Sequence, residues 1–324
     1  MQNKDTRNDT QQRKTLTASL LGSPTSAKAS GAAFSLATVL PVAFSLIVLV
    51  VLAVTGLSEQ EGYAQKDWYL YVSYLLSPIS FALVACWYLR YTRTPVCAAL
   101  REQKCKPRYF LVALLLQIGL LSLSELNSLF LEFLSKFGYT DSGIFLPSMN
   151  GFGFVGVLLV VALLPAVFEE IMFRGILLKG LGAFKTTGAV LICGALFSLY
   201  HQNPAQTIYQ FCCGAAFALV AIRSGSVLPT VLAHFVNNAV ILILTKFGVF
   251  EFSAPVFITI VVISAVCLVL SLVYLVFLDK NKPSEETPLR ETEIKTERKN
   301  FWICAAVGIA VCVLTWLLVL VTGM

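Results

Sequence analysis

The sequence predicts an all-α protein, a polytopic bundle of about nine transmembrane helices. Of its 324 residues, 57% are hydrophobic and 13% are charged, about half the charged share of a typical soluble domain. The apolar residues fall in runs long enough to cross the hydrocarbon core of a bilayer, which takes about 20 residues in a helix. No run shows the strict alternation of a membrane β-strand, so helices are expected to satisfy the backbone in lipid.

Nine apolar runs are the predicted spans, and in chain order they cover residues 33–57, 68–89, 109–131, 152–181, 186–203, 206–222, 227–247, 254–278 and 301–322. The first run is too long for the apolar segment of a signal peptide and lacks a clean cleavage site, so we expect it to be retained. Residues 1–30 are polar and rich in Ser, Thr, Gln and Lys, which predicts a disordered cytoplasmic tail.

These runs divide the chain into four parts. After the tail come N-terminal transmembrane helices in residues 31–150, a central core in 151–250 and C-terminal helices in 251–324. Within the last part, residues 279–300 mix acidic and basic side chains with two prolines, which predicts a cytoplasmic linker that isolates the final span.

The charges of the connecting segments predict the orientation, because short cytoplasmic loops collect Lys and Arg. Basic residues concentrate in the tail, between the second and third spans, and before the last span: Lys4, Arg7, Arg13, Lys14, Lys28, Arg90, Arg93, Arg101, Lys104, Lys106, Arg108, Lys280, Lys282, Arg290, Lys295, Arg298 and Lys299. The intervening loops contain few. We expect the N-terminus in the cytoplasm and the C-terminus outside. This rule accounts for the net charge of +6, and no nucleic-acid partner is indicated.

Ionisable side chains inside the apolar runs mark a candidate site, since each costs about 2.5–3.5 kcal/mol on insertion scales. Glu169, Glu170 and Arg174 share the fourth run, and the only two histidines, His201 and His234, lie in the fifth and seventh. A single buried histidine is more often a packing residue than a catalyst. Two histidines near mid-membrane, close in sequence to carboxylates, indicate a catalytic site.

The helical spacing of these residues indicates how they can act. Glu170 and Arg174 are four residues apart and can neutralise each other, which leaves Glu169 as an additional carboxylate in a poorly solvated place. Such a carboxylate can act as a general base, and an imidazole can help it to orient a water molecule. His234 and Asn238 share a helix face, and their N–H groups can stabilise the oxyanion that forms when water attacks a carbonyl. Together these residues compose a hydrolytic site.

Three ordered motifs carry a family resemblance. They are EExxxR in Glu169–Arg174, FxxxH in Phe197–His201 and HxxxN in His234–Asn238. In their order and helix placement, the motifs resemble the CAAX-protease and bacteriocin-processing intramembrane proteases, the CPBP family. The helices on either side of these motifs carry no such resemblance.

The resemblance implies an intramembrane endopeptidase whose catalytic core is residues 151–250. It implies these roles: Glu169 as the water-activating base aided by His201, His234 and Asn238 as oxyanion donors, and Glu170 and Arg174 as support. The implied partners are the lipid bilayer and a peptide or lipidated protein substrate within it, of the prenylated CAAX or the bacteriocin type. The implied location is a bacterial cell membrane.

A divalent metal ion is a second way to activate the water. Two histidines and a glutamate form the protein ligands of many catalytic zinc sites, so Glu169, His201 and His234 are also candidate zinc ligands of a metalloprotease. The HExxH motif is absent, and the same residues serve a metal-free mechanism. We favour the metal-free mechanism and keep zinc as the alternative.

Two other functions use the same polar residues. A non-catalytic immunity or scaffold protein would keep them as a packing network, and the intact set of motifs argues against it. A proton-coupled transporter would use them as an ion relay. Transporters of that kind often contain repeated halves, and we find no convincing repeat in this sequence.

Overall fold

The computed structural model of the protein describes residues 24–100, 104–141, 143–249, 252–281 and 290–324. These residues form a helical bundle with no β-strand among them, which confirms the predicted all-α class. Eight helices in this part of the chain are long and apolar enough to cross a membrane, and one further apolar helix is shorter. The protein is therefore an integral membrane protein with a polytopic bundle.

The nine apolar helices follow the nine predicted spans in order. They are α1 (Pro24–Thr55), α2 (Asp67–Thr92), α3 (Arg108–Ser135), α4 (Gly153–Gly180), α5 (Thr186–Tyr200), α6 (Thr207–Ser224), α7 (Leu228–Lys246), α8 (Ala254–Leu278) and α9 (Glu291–Thr322). The short helix is α5, with 15 residues. At about 1.5 Å per residue it is shorter than the hydrocarbon core of a typical bilayer.

Two boundaries differ from the prediction. Helix α1 begins at Pro24, so residues 24–30 are helical and do not belong to a disordered tail; the rest of that tail, 1–23, lies outside the described residues. Helix α9 begins at Glu291, so residues 291–300 extend the last span instead of the linker, and 282–289 lie outside the described residues. A hydropathy pattern does not reveal polar turns that extend a helix beyond its apolar run. Ion pairs between residues four apart can support such turns.

The last helix packs in parallel along the first and is not isolated, contrary to the prediction. The hydroxyl of Ser35 donates to the carbonyl oxygen of Cys304 at 2.6 Å and accepts from the backbone N–H of Gly308 at 3.0 Å. Gly31 lies against the backbone of Phe301, so the contacts advance in the same direction on both helices. If the first and last spans run in the same direction, the chain crosses the membrane an odd number of times. Eight long helices alone would give an even number, so the short helix α5 is counted as the ninth crossing.

Several connecting segments gather at what we call the basic end: residues 93–100, 104–107, 181–185, 225–227 and 279–281, with the start of α9. The side-chain amide of Asn281 donates to the carbonyl oxygen of Arg223 at 2.7 Å, and Nε of Arg298 donates to that of Ala183 at 2.9 Å. The segments that the sequence assigns to one side are thus in contact with one another.

The remaining described segments lie at the other end, which we call the distal end: residues 56–66, 136–141, 143–152, 201–206 and 247–249. The backbone N–H of Thr140 donates to the carbonyl oxygen of Gly323 at 2.8 Å, and that of Ser148 donates to Oδ1 of Asp67 at 2.8 Å. The grouping of loops agrees with the charge pattern, and the choice of the cytoplasmic end stays a prediction from that pattern.

Helix α4 is irregular around the candidate site. Its turns Leu158–Leu163 and Ile171–Leu177 are π-helical, and the α-helical segment Leu164–Glu170 lies between them. Wide turns of this kind occur frequently at functional sites, where the extra residue turns neighbouring side chains to a different face. The two adjacent glutamates end the central segment.

Aromatic rings hold α4 against three neighbouring helices. The ring of Phe173 meets the edges of Phe34 on α1, Phe81 on α2 and Phe197 on α5, with centroids 6.5, 6.2 and 5.0 Å apart. All four side chains are buried, and edge-to-face pairs of this kind stabilise a core beyond the area they bury. The N-terminal helices and the central core therefore share one packed interior.

Candidate active site

Glu170 and Arg174 form a buried ion pair on α4. Both side chains are fully buried, and Nη1 of Arg174 donates to Oε1 of Glu170 at 2.7 Å. The same guanidinium donates through Nη2 to the carbonyl oxygen of Gly214 on α6 at 3.2 Å and lies 4.4 Å from the ring centroid of Phe197. This is the pair that the spacing predicted, and it also joins α4 to α5 and α6.

His234 on α7 contacts both glutamates. Its Nδ1 donates to Oε1 of Glu170 at 3.0 Å, and its Nε2 lies 3.9 Å from Oε2 of Glu169. Since a carboxylate accepts, Nδ1 carries a proton in this contact. Glu170 therefore fixes the ring of His234 so that its other nitrogen faces Glu169.

Glu169 is turned away from the ion pair and lines a large cavity. Its side chain is 12% exposed, and its Oε2 is buried without a hydrogen-bond partner among the described residues. Buried polar atoms in proteins are nearly always satisfied, and an exception calls for an explanation. A carboxylate oxygen placed in this way is suited to bind water or a substrate group.

His201 follows the last residue of α5 and reaches the same cavity. Its Nδ1 donates to the carbonyl oxygen of Phe197 at 2.8 Å, so the Nε2 of the neutral ring is an acceptor. The ring of Phe197 lies between the two imidazoles, with centroids 4.8 Å from His201 and 6.2 Å from His234. The first turn of the α5–α6 connection thus presents one basic nitrogen to the cavity.

Asn238 lines the cavity one helical turn beyond His234. Its Oδ1 accepts a hydrogen bond from Nδ2 of Asn237 at 3.2 Å, which leaves its own N–H groups as donors. Asn237 in turn accepts from Nε2 of Gln117 at 2.7 Å, and the amide of Gln117 also donates to the hydroxyl of Tyr209 at 3.1 Å. A chain of amides from α3 therefore orients the predicted oxyanion donor.

Gln117, Asn237 and Tyr209 are site residues that the sequence interpretation did not identify. Gln117 lies in the middle of α3 and is buried. A polar side chain in the middle of a span is the signal that marked Glu169, and the same signal was present for Gln117. Its partners could not be read from spacing because they lie on α6 and α7.

The turn between α5 and α6 is held in place by amide side chains. Asn203 accepts at Oδ1 from the backbone N–H of Ala205 at 2.8 Å. Asn127 on α3 donates to the carbonyl oxygen of Ala205 at 2.7 Å and accepts from the backbone N–H of Tyr209 at 3.3 Å. Buried backbone outside a helix needs such partners, and they fix the position of His201.

One cavity of about 1210 Å³ is lined by all four predicted catalytic residues, Glu169, His201, His234 and Asn238. It exceeds the usual volume of a small-ligand pocket, about 300–1,000 Å³. Helices from outside the central core also line it, including residues 41–46 of α1 and 73–78 of α2. The volume is sufficient for a stretch of peptide.

The side chains as placed do not form a three-ligand metal site. Among the described residues, no group of three His, Cys, Asp or Glu side chains is arranged to hold an ion. One nitrogen of His234 is engaged by Glu170, and one nitrogen of His201 by the Phe197 carbonyl. The zinc alternative stays a prediction.

Comparison with known families supports the resemblance carried by the motifs. Residues 151–240 match the family model described as type II CAAX prenyl endopeptidase Rce1-like. At family level the match supports a CAAX-type intramembrane protease, with membrane-embedded peptides as substrates. No curated protein and no solved structure matched the chain.

Proposed function

Because residues 151–240 match the Rce1-like family, we propose that this protein is an intramembrane endopeptidase that hydrolyses peptide bonds of membrane-associated substrates. The observation that carries the proposal is the buried Oε2 of Glu169, without a hydrogen-bond partner among the described residues, beside two histidines in one cavity. A reacting carboxylate next to imidazoles is the arrangement that water activation needs.

Glu169 and His201 activate the water. Glu169 and His201 both line the cavity, and the carboxylate of Glu169 and Nε2 of His201 are acceptors, so one water molecule can donate a hydrogen bond to each. As the water oxygen attacks the peptide carbonyl carbon, Glu169 takes up its proton. When the C–N bond breaks, Glu169 returns that proton to the leaving amine.

Asn238 and His234 stabilise the oxyanion. Asn237 holds the amide oxygen of Asn238, so the N–H groups of Asn238 are the ones available to the developing negative charge. With Nδ1 fixed by Glu170, a protonated His234 donates through Nε2. Donors held in place before the reaction stabilise the transition state more than mobile water does.

Glu169→Gln tests the assignment of the base. The change keeps the shape of the side chain and removes proton acceptance, so peptide hydrolysis is expected to fall by about 10²–10⁴-fold. The purified protein is reconstituted in liposomes and cleavage of prenylated CAAX peptides and a panel of membrane-anchored peptides is followed by mass spectrometry, with and without a chelator. Loss of activity with chelator alone would favour the zinc alternative.

Two outcomes would contradict the proposal. Unchanged cleavage by Glu169→Gln would exclude Glu169 as the base. If well-folded wild-type protein cuts no peptide in the panel, a scaffold or immunity role gains support instead.

A further inference from the structure

The cavity runs from the catalytic residues towards one end of the bundle. On α4 it is lined by Val161, Pro165 and Glu169, and on α7 by residues from His234 to Thr245. Both sets extend from the site towards the distal end, because α4 begins there and α7 ends there. No described connecting segment of the basic end lines the cavity.

The distal segment after α3 forms the rim of this cavity. Asp141, Gly143, Ile144 and Leu146 line it, and the side chain of Ile144 is 67% exposed. Gln206, in the distal turn between α5 and α6, lines it as well. The cavity therefore opens at the distal end.

On the side of the basic end, the site is closed by packed side chains. Glu170 and Arg174 are fully buried directly below Glu169. Phe173, Ile176 and Leu177 continue this layer along α4, each 1% exposed or less. A peptide cannot reach Glu169 from the basic end without unpacking this layer.

The charges of the loops identify the two ends. Counted together with the helix ends that adjoin them, the basic-end segments contain fourteen of the described Lys and Arg residues, and the distal segments contain three, Lys66, Lys136 and Lys246. Cytoplasmic loops collect Lys and Arg, so the basic end faces the cytoplasm. The open end of the cavity faces the opposite side.

We propose, building on the protease function above, that the substrates are membrane-anchored polypeptides reached from the non-cytoplasmic side, whose cleaved segment leaves the bilayer on that side. A lipidated C-terminus displayed in the cytoplasm meets the packed layer of the basic end and has no path to Glu169. Of the two substrate types that the motif resemblance implies, this route disfavours the prenylated CAAX type.

The walls of the cavity suit a segment that is unwound but still anchored in lipid. Polar side chains on α2 and α6, among them Ser73, Ser77 and Gln210, line it and can satisfy backbone groups that leave a helix, which lipid cannot do. Leu46 on α1 and Ile241 on α7 line the same cavity and are 58% and 52% exposed. These apolar side chains suit the part of the peptide that stays anchored in lipid.

Cysteine labelling determines the side of the cavity without depending on activity. Ile144→Cys places a thiol at the rim, and the native Cys97 is exposed at the basic end and serves as the internal control. Burial raises the pKa of Cys105 in the same basic segment, so this thiol reacts slowly and is not used. A membrane-impermeant maleimide is applied to intact and to permeabilised bacterial cells, and each site is read by mass spectrometry.

The expected result is labelling of Ile144→Cys in intact cells, with Cys97 labelled only after permeabilisation. The reverse pattern would place the cavity on the cytoplasmic side and overturn the inference, whatever the enzyme cuts.

Two reporters then test the substrate class in cells that produce wild-type protein or Glu169→Gln. Each has one membrane span and the same randomised segment, placed on the non-cytoplasmic side in one reporter and on the cytoplasmic side in the other. Cleavage of the first reporter alone, lost in Glu169→Gln, is expected. Cleavage of the second, alone or in addition, overturns the inference and leaves the protease function intact. Cleavage of neither by folded protein overturns the protease function itself.

Discussion

Adjacent residues Glu169 and Glu170 have opposite surroundings although both are carboxylates near mid-membrane. One residue step turns a helix by about 100°, so Glu170 faces Arg174 and the core while Glu169 faces the cavity. Glu170 is engaged by Arg174 and His234 at the same oxygen, Oε1. One glutamate therefore holds the fold and the imidazole in place, and the other is available to react.

Glu170→Gln is expected to destabilise the protein by about 3–5 kcal/mol, because it leaves the buried charge of Arg174 without its partner. Thermal unfolding of the detergent-purified variant measures this change. Glu169→Gln is the matched control, since it alters the neighbouring carboxylate, whose Oε2 has no hydrogen-bond partner among the described residues. Equal melting temperatures for the two variants would show that the Glu170–Arg174 pair is not structural.

Gln117→Met is expected to lower kcat at least about tenfold with little change in KM. The change keeps the volume of the side chain but frees Asn237 and thus Asn238, and small misplacements of a catalytic group cost up to about 10²-fold. Peptide cleavage in liposomes measures both constants. Ser122→Ala on the same helix is the control, because its hydroxyl donates to the carbonyl of Gly119 within α3. A higher KM together with a lower melting temperature would instead indicate a packing role.

Helices α5 and α6 cross at two glycines, and this crossing positions both His201 and Arg174. A Cβ atom on Gly214 would lie 2.8 Å from Cα of Gly194, and one on Gly194 would lie 2.9 Å from the backbone nitrogen of Ala215. Real Cβ atoms essentially never approach backbone so closely. The close approach brings the carbonyl of Gly214 within hydrogen-bond distance of Arg174.

Gly214→Ala is therefore expected to destabilise the bundle by about 1–3 kcal/mol, as overpacking does in other cores, and to lower cleavage by disturbing Arg174. Gly188→Ala on α5 is the control, because its Cβ would meet nothing nearer than 3.6 Å. Melting temperatures and cleavage rates of both variants are compared. The prediction fails if the two variants melt alike.

At the scale of elements, apolar runs located all nine helices because lipid requires each span to be apolar over its whole length. The runs were less informative about helix ends. Helix α9 starts at Glu291, ten residues before the apolar run at 301, where the ion pair of Lys295 with Glu291 at 2.8 Å supports a turn outside the hydrocarbon. The π-helical turns of α4 could not be predicted from the apolar runs either, since they depend on how α4 packs against its neighbours.

For the whole molecule, the parallel packing of α1 and α9 predicts that the two termini lie on opposite sides of the membrane. A reporter fused before Met1 is expected to be cytoplasmic, and one fused after Met324 is expected to be outside. Alkaline phosphatase and a fluorescent protein distinguish the two compartments in bacterial cells. Termini on the same side would contradict nine crossings, and exchanged sides would contradict the orientation read from the charges.

The sequence by itself determined the helical class, the order of the spans and the polar residues that share the cavity. These follow because burying a charged or polar side chain in lipid costs free energy, so spans are apolar except where a polar side chain has a partner or a function. The loop charges also predicted which segments lie together, as the contacts at the basic and distal ends bear out.

Only the tertiary structure decided which glutamate is paired, how Gln117 supports Asn238 and where the cavity opens. Each of these depends on side chains from helices far apart in the chain, such as the Gln117–Asn237 bond between α3 and α7. The direction of the cavity follows from how nine helices pack, with residues 170–177 closing one side and the segment after α3 forming the rim on the other. Hydropathy and spacing describe one helix at a time and do not contain that information.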